Sequence, residues 1–246
     1  MPLLKYLVFY TSIISISGYD ARWRSYPGPG GAMQVAAKGN ELWAINAYNV
    51  LWRYESDENW EQVPGVSISV GASPDGYTWV INSNQLIIRK DDKLKWIQIP
   101  GYLVQVSAAS KDVAAGVNAQ GMVCVHRNGT WSYPGTTTDG VWVSIGQSDE
   151  IWLVKRDQTI WRWEGDAWAK KPGSGVAIDV QGPNRMALLN GTGDVFLWKS
   201  YKWEWVMGGV KSVSVTSDCV YYIVGKIGEK KDGLIKRWCP YDWRNN

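Results

Sequence analysis

GYTWVINSNQLIIRK, residues 76–90, reads as Trp79, Val80, Ile81 and Asn82, a short polar break, and then Leu86, Ile87, Ile88 and Arg89. Two apolar runs of strand length around a break of turn-forming residues are the pattern of two strands joined by a tight turn. The pattern returns as ELWAINAYNVLWR (41–53), AAGVNAQGMVCV (114–125), EIWLVKRDQTIWR (150–162) and ALLNGTGDVFLW (187–198). Aligned on the residue before the break, Asn46, Asn82, Asn118, Lys155 and Asn190 stand about 36 residues apart, so the chain is a repeat array.

A second marker fixes the unit. Trp23, Trp60, Trp96, Trp131, Trp168 and Trp203 open successive units, and Trp243 closes the series, at intervals of 37, 36, 35, 37, 35 and 40 residues. Pro-Gly follows four residues later at Pro27-Gly28, Pro64-Gly65, Pro100-Gly101 and Pro172-Gly173; the fourth unit reaches Pro134-Gly135 one residue early, and the sixth has Met207-Gly208. In the second unit WEQV, SISVG, TWVIN and LIIRK are four short strands, and no window shows helical periodicity. Four strands in 35 to 40 residues, repeated six times, predict an all-β fold: a six-bladed β-propeller of four-stranded antiparallel blades. The repeats are 23–59, 60–95, 96–130, 131–167, 168–202 and 203–242, within a domain of residues 18–246. Exposed strand edges require the ring to close, so the strand around Trp23 is expected to complete the sixth blade, pairing N-terminal and C-terminal units.

Residues 1–17 have no place in that count. Lys5, the apolar run of residues 6–16 and the small residues Ser15 and Ser17 follow signal-peptide grammar; the other reading is an extra N-terminal strand. The first predicts a secreted protein, the second a cytoplasmic one. The apolar run is too short to cross a bilayer as a helix, and no transmembrane segment is expected elsewhere. A net charge of +3, with Lys and Arg scattered among Asp and Glu, gives no continuous basic face, so nucleic acid is not an expected partner.

Three cysteines are too few for a disulfide scaffold and lack zinc spacing. If Val224 faces Leu234 in a hairpin, counting outward sets Cys219 opposite Cys239, as a disulfide or as two buried thiols. Asn-Gly-Thr at Asn128 and at Asn190 fits an N-glycosylation acceptor. The single histidine, His126, has no partner suggesting a nucleophile or a metal, and Asp139, Asp149, Glu150, Asp157 and Asp194 show no local pairing. Neither an enzyme, a metal site nor a cofactor is expected.

The ordered series Trp, Pro-Gly, SISVG, TWVIN, LIIR resembles the tectonin repeat over residues 23 to about 242. The family includes slime-mould and fungal tectonins, fish-egg lectins and a horseshoe-crab lectin. The resemblance implies a six-bladed propeller that binds glycans on cell or microbial surfaces, including O-methylated ones, through several similar sites, in defence or agglutination. The alternative is a propeller scaffold for protein or lipid. A monomer or weak oligomer is expected. A sugar presents a C–H face and a hydroxyl rim, which suits an aromatic surface beside amide and guanidinium groups. The candidate glycan-binding residues are therefore Trp43, Asn46, Arg53, Trp79, Asn82, Arg89, Asn118, Trp152, Arg162 and Asn190. The other reading of the strand tryptophans is packing between blades, and of the asparagines, bonding to their own turns. The units are unequal: Ala115, Ala187 and Tyr222 stand where Trp43, Trp79 and Trp152 stand in others, and Lys155 and Gly225 replace Asn.

Overall fold

The computed structural model describes residues 23–26, 31–56, 59–91, 95–227 and 233–240. The two readings of residues 1–17 fall outside the described residues, as do Pro27-Gly28 and Trp243.

Every regular element among the described residues is a β-strand. After β1 (Trp23–Tyr26) come β2 (Ala32–Lys38), β3 (Glu41–Asn46), β4 (Val50–Tyr54), β5 (Trp60–Ala72), β6 (Thr78–Asn82), β7 (Leu86–Lys90) and β8 (Trp96–Tyr102). Then follow β9 (Gln105–Ala108), β10 (Val113–Val117), β11 (Val123–Arg127) and β12 (Thr130–Ser132), and β13 (Gly140–Ile145), β14 (Ile151–Lys155), β15 (Thr159–Trp163) and β16 (Trp168–Ser174). The last are β17 (Ala177–Gly182), β18 (Arg185–Leu189), β19 (Val195–Lys199), β20 (Lys202–Met207), β21 (Val210–Val215), β22 (Val220–Val224) and β23 (Ile235–Trp238).

These form a propeller of four-stranded antiparallel blades. Four sheets are separate: β9–β12, β13–β16, β17–β20, and β21–β23 completed by β1. Where six separate sheets were expected, β2 to β8 make one seven-stranded sheet instead. The reason is β5: its first half pairs with β4 up to Val66, and from Ser67 it pairs with β6 without leaving the extended conformation. The ring of described strands closes where Trp23 of β1 faces Trp238 of β23 and Tyr26 faces Ile235.

Burial falls from the axis outward. Second strands such as β10 and β14 are buried on both faces because a neighbouring sheet packs on each side, while outer strands β8 and β16 are largely exposed. The apolar core is accordingly divided among the interfaces: Ala115, Val117 and Val125 of one sheet pack with Val143, Ile151 and Leu153 of the next.

Around the axis each inner strand caps the next through a polar side chain. Val70 N donates to Gln34 Oε1 (3.2 Å), Val106 N to Ser69 Oγ (3.1 Å), and Val143 N to Gln105 Oε1 (2.9 Å). Val180 N donates to Ser144 Oγ (2.9 Å), Val215 N to Asp179 Oδ2 (2.7 Å), and Ala37 N to Ser214 Oγ (3.0 Å), which closes the circle. These amides face the channel rather than a ladder partner, so a side-chain acceptor is needed there. Lys38 Nζ lies inside the same circle, 3.1 Å from Asp179 and 2.8 Å from the Val215 carbonyl. Burial pulls its pKa down, and Asp179 opposes that shift. Cys219 and Cys239 form a disulfide beside β23.

Candidate functional site

The asparagines that open the break share one local geometry. The amides of Asn49, Gln85, Gly121 and Gly193 donate to the carbonyls of Asn46, Asn82, Asn118 and Asn190, three residues back. Each of these fourth residues has positive φ, from 61° at Asn49 to 87° at Gly193. The side chain completes the turn: Asn82 Oδ1 accepts from the amides of Asn84 (2.9 Å) and Leu86 (3.0 Å), and Asn118 Oδ1 from Gln120 and Met122, both at 3.0 Å. At Lys155, Asp157 takes over, accepting from the Thr159 amide and hydroxyl. The carbonyl of each positive-φ residue then anchors the chain as it passes to the next inner strand: Ser67 N donates to Asn49 O, Leu103 N to Gln85 O, and Val210 N to Gly193 O. The Asn turn and the Pro-Gly crossover therefore lie together at one end of each sheet.

Two clefts open there one repeat apart, the first between the two halves of the seven-stranded sheet and the second between that sheet and the next. The first, about 310 Å³, lies among Leu51, Pro64, Gly65, Val66, Asn82 and Trp96. The second, about 420 Å³, lies among Gln85, Gly101, Tyr102, Asn118, Gln120 and Trp131, with Tyr133 at its rim. Gly65 and Gly101, and likewise Asn82 and Asn118, are 36 residues apart, so the two clefts are the same place in successive units. Gly101 has φ 122°, a conformation that strains any residue with a Cβ. In each cleft Asn Oδ1 is used by the turn, while Nδ2 makes no bond among the described residues, which leaves an amide donor beside an indole.

Further round, the indole lies closer to the glycine than at Gly101, where Trp131 Nε1 is 3.5 Å from a Cβ position. An indole carbon stands 3.0 Å from where a Cβ would sit on Gly135 (Trp168) and on Gly173 (Trp203). Trp131, Trp168 and Trp203 each donate to the carbonyl of the preceding unit's proline, at 2.8 Å to Pro100, 2.7 Å to Pro134 and 2.9 Å to Pro172. Trp96 instead packs near Trp43, with the Lys90 ammonium 5.4 Å from its ring, and a Cβ on Gly65 would meet nothing within 4 Å.

Of the residues singled out from sequence, Asn82 and Asn118 line these clefts. Asn46 is 7% exposed and bonds Tyr48 and Val50; Asn190 spends its oxygen on Thr192 and Asp194 and its Nδ2 on Asp194. The tryptophans need correction as stacking platforms. Trp43 and Trp79 are fully buried and Trp152 is 3% exposed, each within a core cluster between successive repeats, so a ligand has no face to approach. The arginines lie directly across the ladder from these rings, and two of them are also committed. Arg53 bonds Glu41, and Arg89 bonds Asp112 (3.0 Å) and the Lys111 carbonyl; Arg162 differs, its Nε buried without a hydrogen-bond partner among the described residues. They sit at the end of the sheet away from the Asn turn. The opening tryptophans Trp96 and Trp131 pack against core clusters and also reach the clefts.

Sequence reasoning missed Tyr102 and Tyr133, which are 65% and 61% exposed. A signal existed: one follows Pro100-Gly101 and the other precedes Pro134-Gly135. Cys124 forms part of the second cleft's wall, and burial pushes its thiol up to about 11, so it serves as an apolar contact. Among the described residues no group of three His, Cys, Asp or Glu side chains could hold a metal ion, and no helix is long and apolar enough to cross a membrane.

Residues 31–145 match the family model of the Tectonin domain. No curated protein matches the chain in sequence. Among solved structures the chain is similar to YCF48 from Cyanidioschyzon merolae, at 17% identity and TM-score 0.58, covering 92% of this chain and all of that one. It is also similar to the RRP9 WD40 repeats (10% identity, TM-score 0.62, covering 90% and 98%). A third is the WD40 β-propeller domain of Doa1 (10%, 0.59, covering 89% and 97%). At these identities the structural likeness shows the propeller fold alone, and no enzyme family is indicated.

Proposed function

We propose that this chain, a tectonin-repeat protein over residues 31–145, is a six-bladed, multivalent glycan-binding propeller whose working sites are the clefts between blades at the Asn-turn end. The count of six treats the seven-stranded sheet as two blades sharing β5. The observation that carries the reading is the recurrence, 36 residues apart, of one open cleft that sets a free amide donor beside an indole. Rings flanked by amides suit a sugar's C–H face and hydroxyl rim. Tyr102 and Tyr133 add two exposed rings and phenolic hydroxyls at the second cleft. Each cleft is shallow and binds weakly alone; on a dense glycan surface a second engaged site raises avidity about 10²-fold or more.

The Cys219–Cys239 disulfide fits an oxidising compartment, which supports secretion and the cleavage of residues 1–17. Sequencing the N-terminus of the mature protein tests that part; an intact Met1 would oppose it. A glycan array that includes microbial and O-methylated glycans tests the binding reading. We expect retention that drops in Tyr102→Ala/Tyr133→Ala with the fold intact; a blank array overturns the lectin reading. The other reading, a scaffold for an apolar peptide or lipid, draws on the first cleft, whose wall of Leu51, Val63, Val66, Val80 and Ile88 is largely hydrocarbon.

A further inference from the structure

The inner end of each opening tryptophan faces a slot filled by the residue paired with it at the end of the third strand. Four of the occupants belong to successive units: Tyr54 faces Trp60, Lys90 faces Trp96, His126 faces Trp131, and Trp163 faces Trp168. Where the occupant is a neutral ring, the pair is an edge-on aromatic contact, at 5.3 Å for Tyr54–Trp60 and 5.4 Å for Trp163–Trp168. His126 copies that contact. Its ring lies 5.0 Å from Trp131 and 5.1 Å from Trp79 of the neighbouring sheet, both edge-on, and it is 3% exposed. Its Nδ1 is 3.1 Å from the Asp112 carbonyl. Trp131 in turn forms a wall of the second cleft.

We propose that His126 positions Trp131, and that proton uptake at His126 loosens Trp131 from the cleft wall, making the second cleft acid-sensitive while the first is not. The consequence for ligand rests on the glycan reading above; the coupling between the two rings does not.

The charges around the slot decide the sign. From the neighbouring sheet Arg89 reaches over Trp79 and pairs with Asp112, so the nearest carboxylate is already engaged with a cation. Lys111, in the same loop, adds positive charge near the ring of Tyr77, and its amide is held by Asp75. Arg127, next in the chain, is paired with Asp149. An imidazolium at residue 126 would therefore be buried beside a guanidinium with no free anion to answer it. Burial holds its pKa below the ordinary 6.5; the Asp112 carbonyl and carboxylate oppose this, and Arg89 reinforces it. The unfolded chain then holds more protons between the folded value and 6.5, so stability falls as pH drops through that window. The equivalent slot in the first cleft behaves differently. Lys90, 36 residues earlier, is a lysine 4.8 Å from Trp43 and 5.4 Å from Trp96; burial and then Arg53 pull its pKa down from the ordinary 10.5, and Glu41 and Glu61 oppose this. It has no proton to gain on acidification.

Because His126 is the single histidine, its ring resonances can be followed without ambiguity between pH 8 and pH 4.5. The readout is the indole Nε1–H cross-peak of Trp131, which donates to Pro100, identified by its loss in Trp131→Phe. We expect the His126 ring and the Trp131 cross-peak to move with one midpoint below 6.5, the Trp96 cross-peak to stay still, and the Trp131 response to vanish in His126→Phe. A Trp131 cross-peak that ignores the His126 titration, or a response that survives His126→Phe, overturns the proposal. The glycan array run at pH 7.5 and pH 5 supplies the ligand arm. A fall of about tenfold in wild type, absent in His126→Phe, supports the acid-sensitive cleft, and an equal fall in both overturns it. A blank array with coupled cross-peaks would sink the glycan reading and leave the ring coupling standing.

Discussion

Units that keep a tryptophan in the second strand set an arginine directly across from it, as in Trp43 and Arg53, Trp79 and Arg89, and Trp152 and Arg162. Units that carry alanine there set an aliphatic residue across from it, Val125 opposite Ala115 and Leu197 opposite Ala187. Ring and cation are gained or lost together, and Tyr222 opposite Lys236 is a smaller version of the same pair. A ligand platform that had been abandoned would not need to lose its arginine as well. A packing unit would, because a guanidinium buried without its ring loses both a cation–π contact and its cover. The space is taken from the far side: Trp161, Trp163 and Trp168 of the next sheet pack against the cluster containing Ala115. The difference between the two kinds of unit is thus one of how an interface is filled.

The largest expected effect attacks the tryptophan kind. Trp79→Ala empties a site at 0% exposure between Ile81, Leu103 and Cys124, and should cost about 3–5 kcal/mol in denaturant unfolding. Trp79→Ala with Arg89→Val converts the unit to the alanine kind. It should be less damaging than the sum of the single changes by about 1 kcal/mol or more, since residues in contact couple on that scale. Strict additivity would break the idea that the pair is one unit.

The fold was legible because its markers are local. Asn turns, Pro-Gly crossovers and strand alternation follow from backbone geometry that every unit must repeat, so the period survives in the sequence. The merger of two units through β5 was hidden, because Pro64-Gly65 reads as punctuation whether or not the strand runs through it. The site was half legible. Asn82 and Asn118 were found because the turn demands them, but which tryptophans face solvent depends on whether a neighbouring sheet covers them, and covering is not encoded within one repeat. Hence one repeat leaves Trp43 and Trp79 open between ligand contact and packing, and only the assembled sheets bury them, while Trp131 both packs on the core and reaches a cleft, and Tyr102 and Tyr133 are marked only by the Pro-Gly beside them.

The sixth unit joins the aromatic kind to the ring's closure. Its outer strand, β1, is only four residues long, and the Cys219–Cys239 bridge closes a sequence separation of 20 beside it. Cys219→Ser with Cys239→Ser should lower stability by about 3 kcal/mol in denaturant unfolding. The reductant-sensitivity of wild type should match that loss, and an unchanged midpoint would place ring closure elsewhere.

Smaller effects separate turn from site within a cleft. Asn82→Ala removes two side-chain bonds to the amides of Asn84 and Leu86, and should cost about 1 kcal/mol. Asn82→Asp keeps an oxygen to accept from both amides but turns the Nδ2 donor into a second, anionic acceptor. Asn82→Ser keeps a short acceptor without the amide donor or a charge. Both should stay within about 0.5 kcal/mol of wild type, so a fall in glycan retention common to the two reports the donor, and a fall in the aspartate alone reports its charge.

The smallest expected effect on stability is at Tyr102, and it contrasts most sharply with Trp79. Both are aromatic and belong to the seven-stranded sheet, yet Tyr102 is 65% exposed and Trp79 is not exposed at all. Tyr102 stands opposite Leu86 at the end of its ladder, and the equivalent place in the preceding unit is held by Val66, itself 46% exposed. A ring held out in water at a crossover contributes little to folding, so Tyr102→Ala should leave unfolding within about 0.5 kcal/mol of wild type. If the cleft takes glycans, the same change should weaken retention about tenfold, because only there does the ring's face meet a ligand. Tyr102→Val would make the second cleft resemble the first. Should that variant bind as wild type does, the tyrosine is surface alone, and the weight of recognition falls on Trp131 and Asn118.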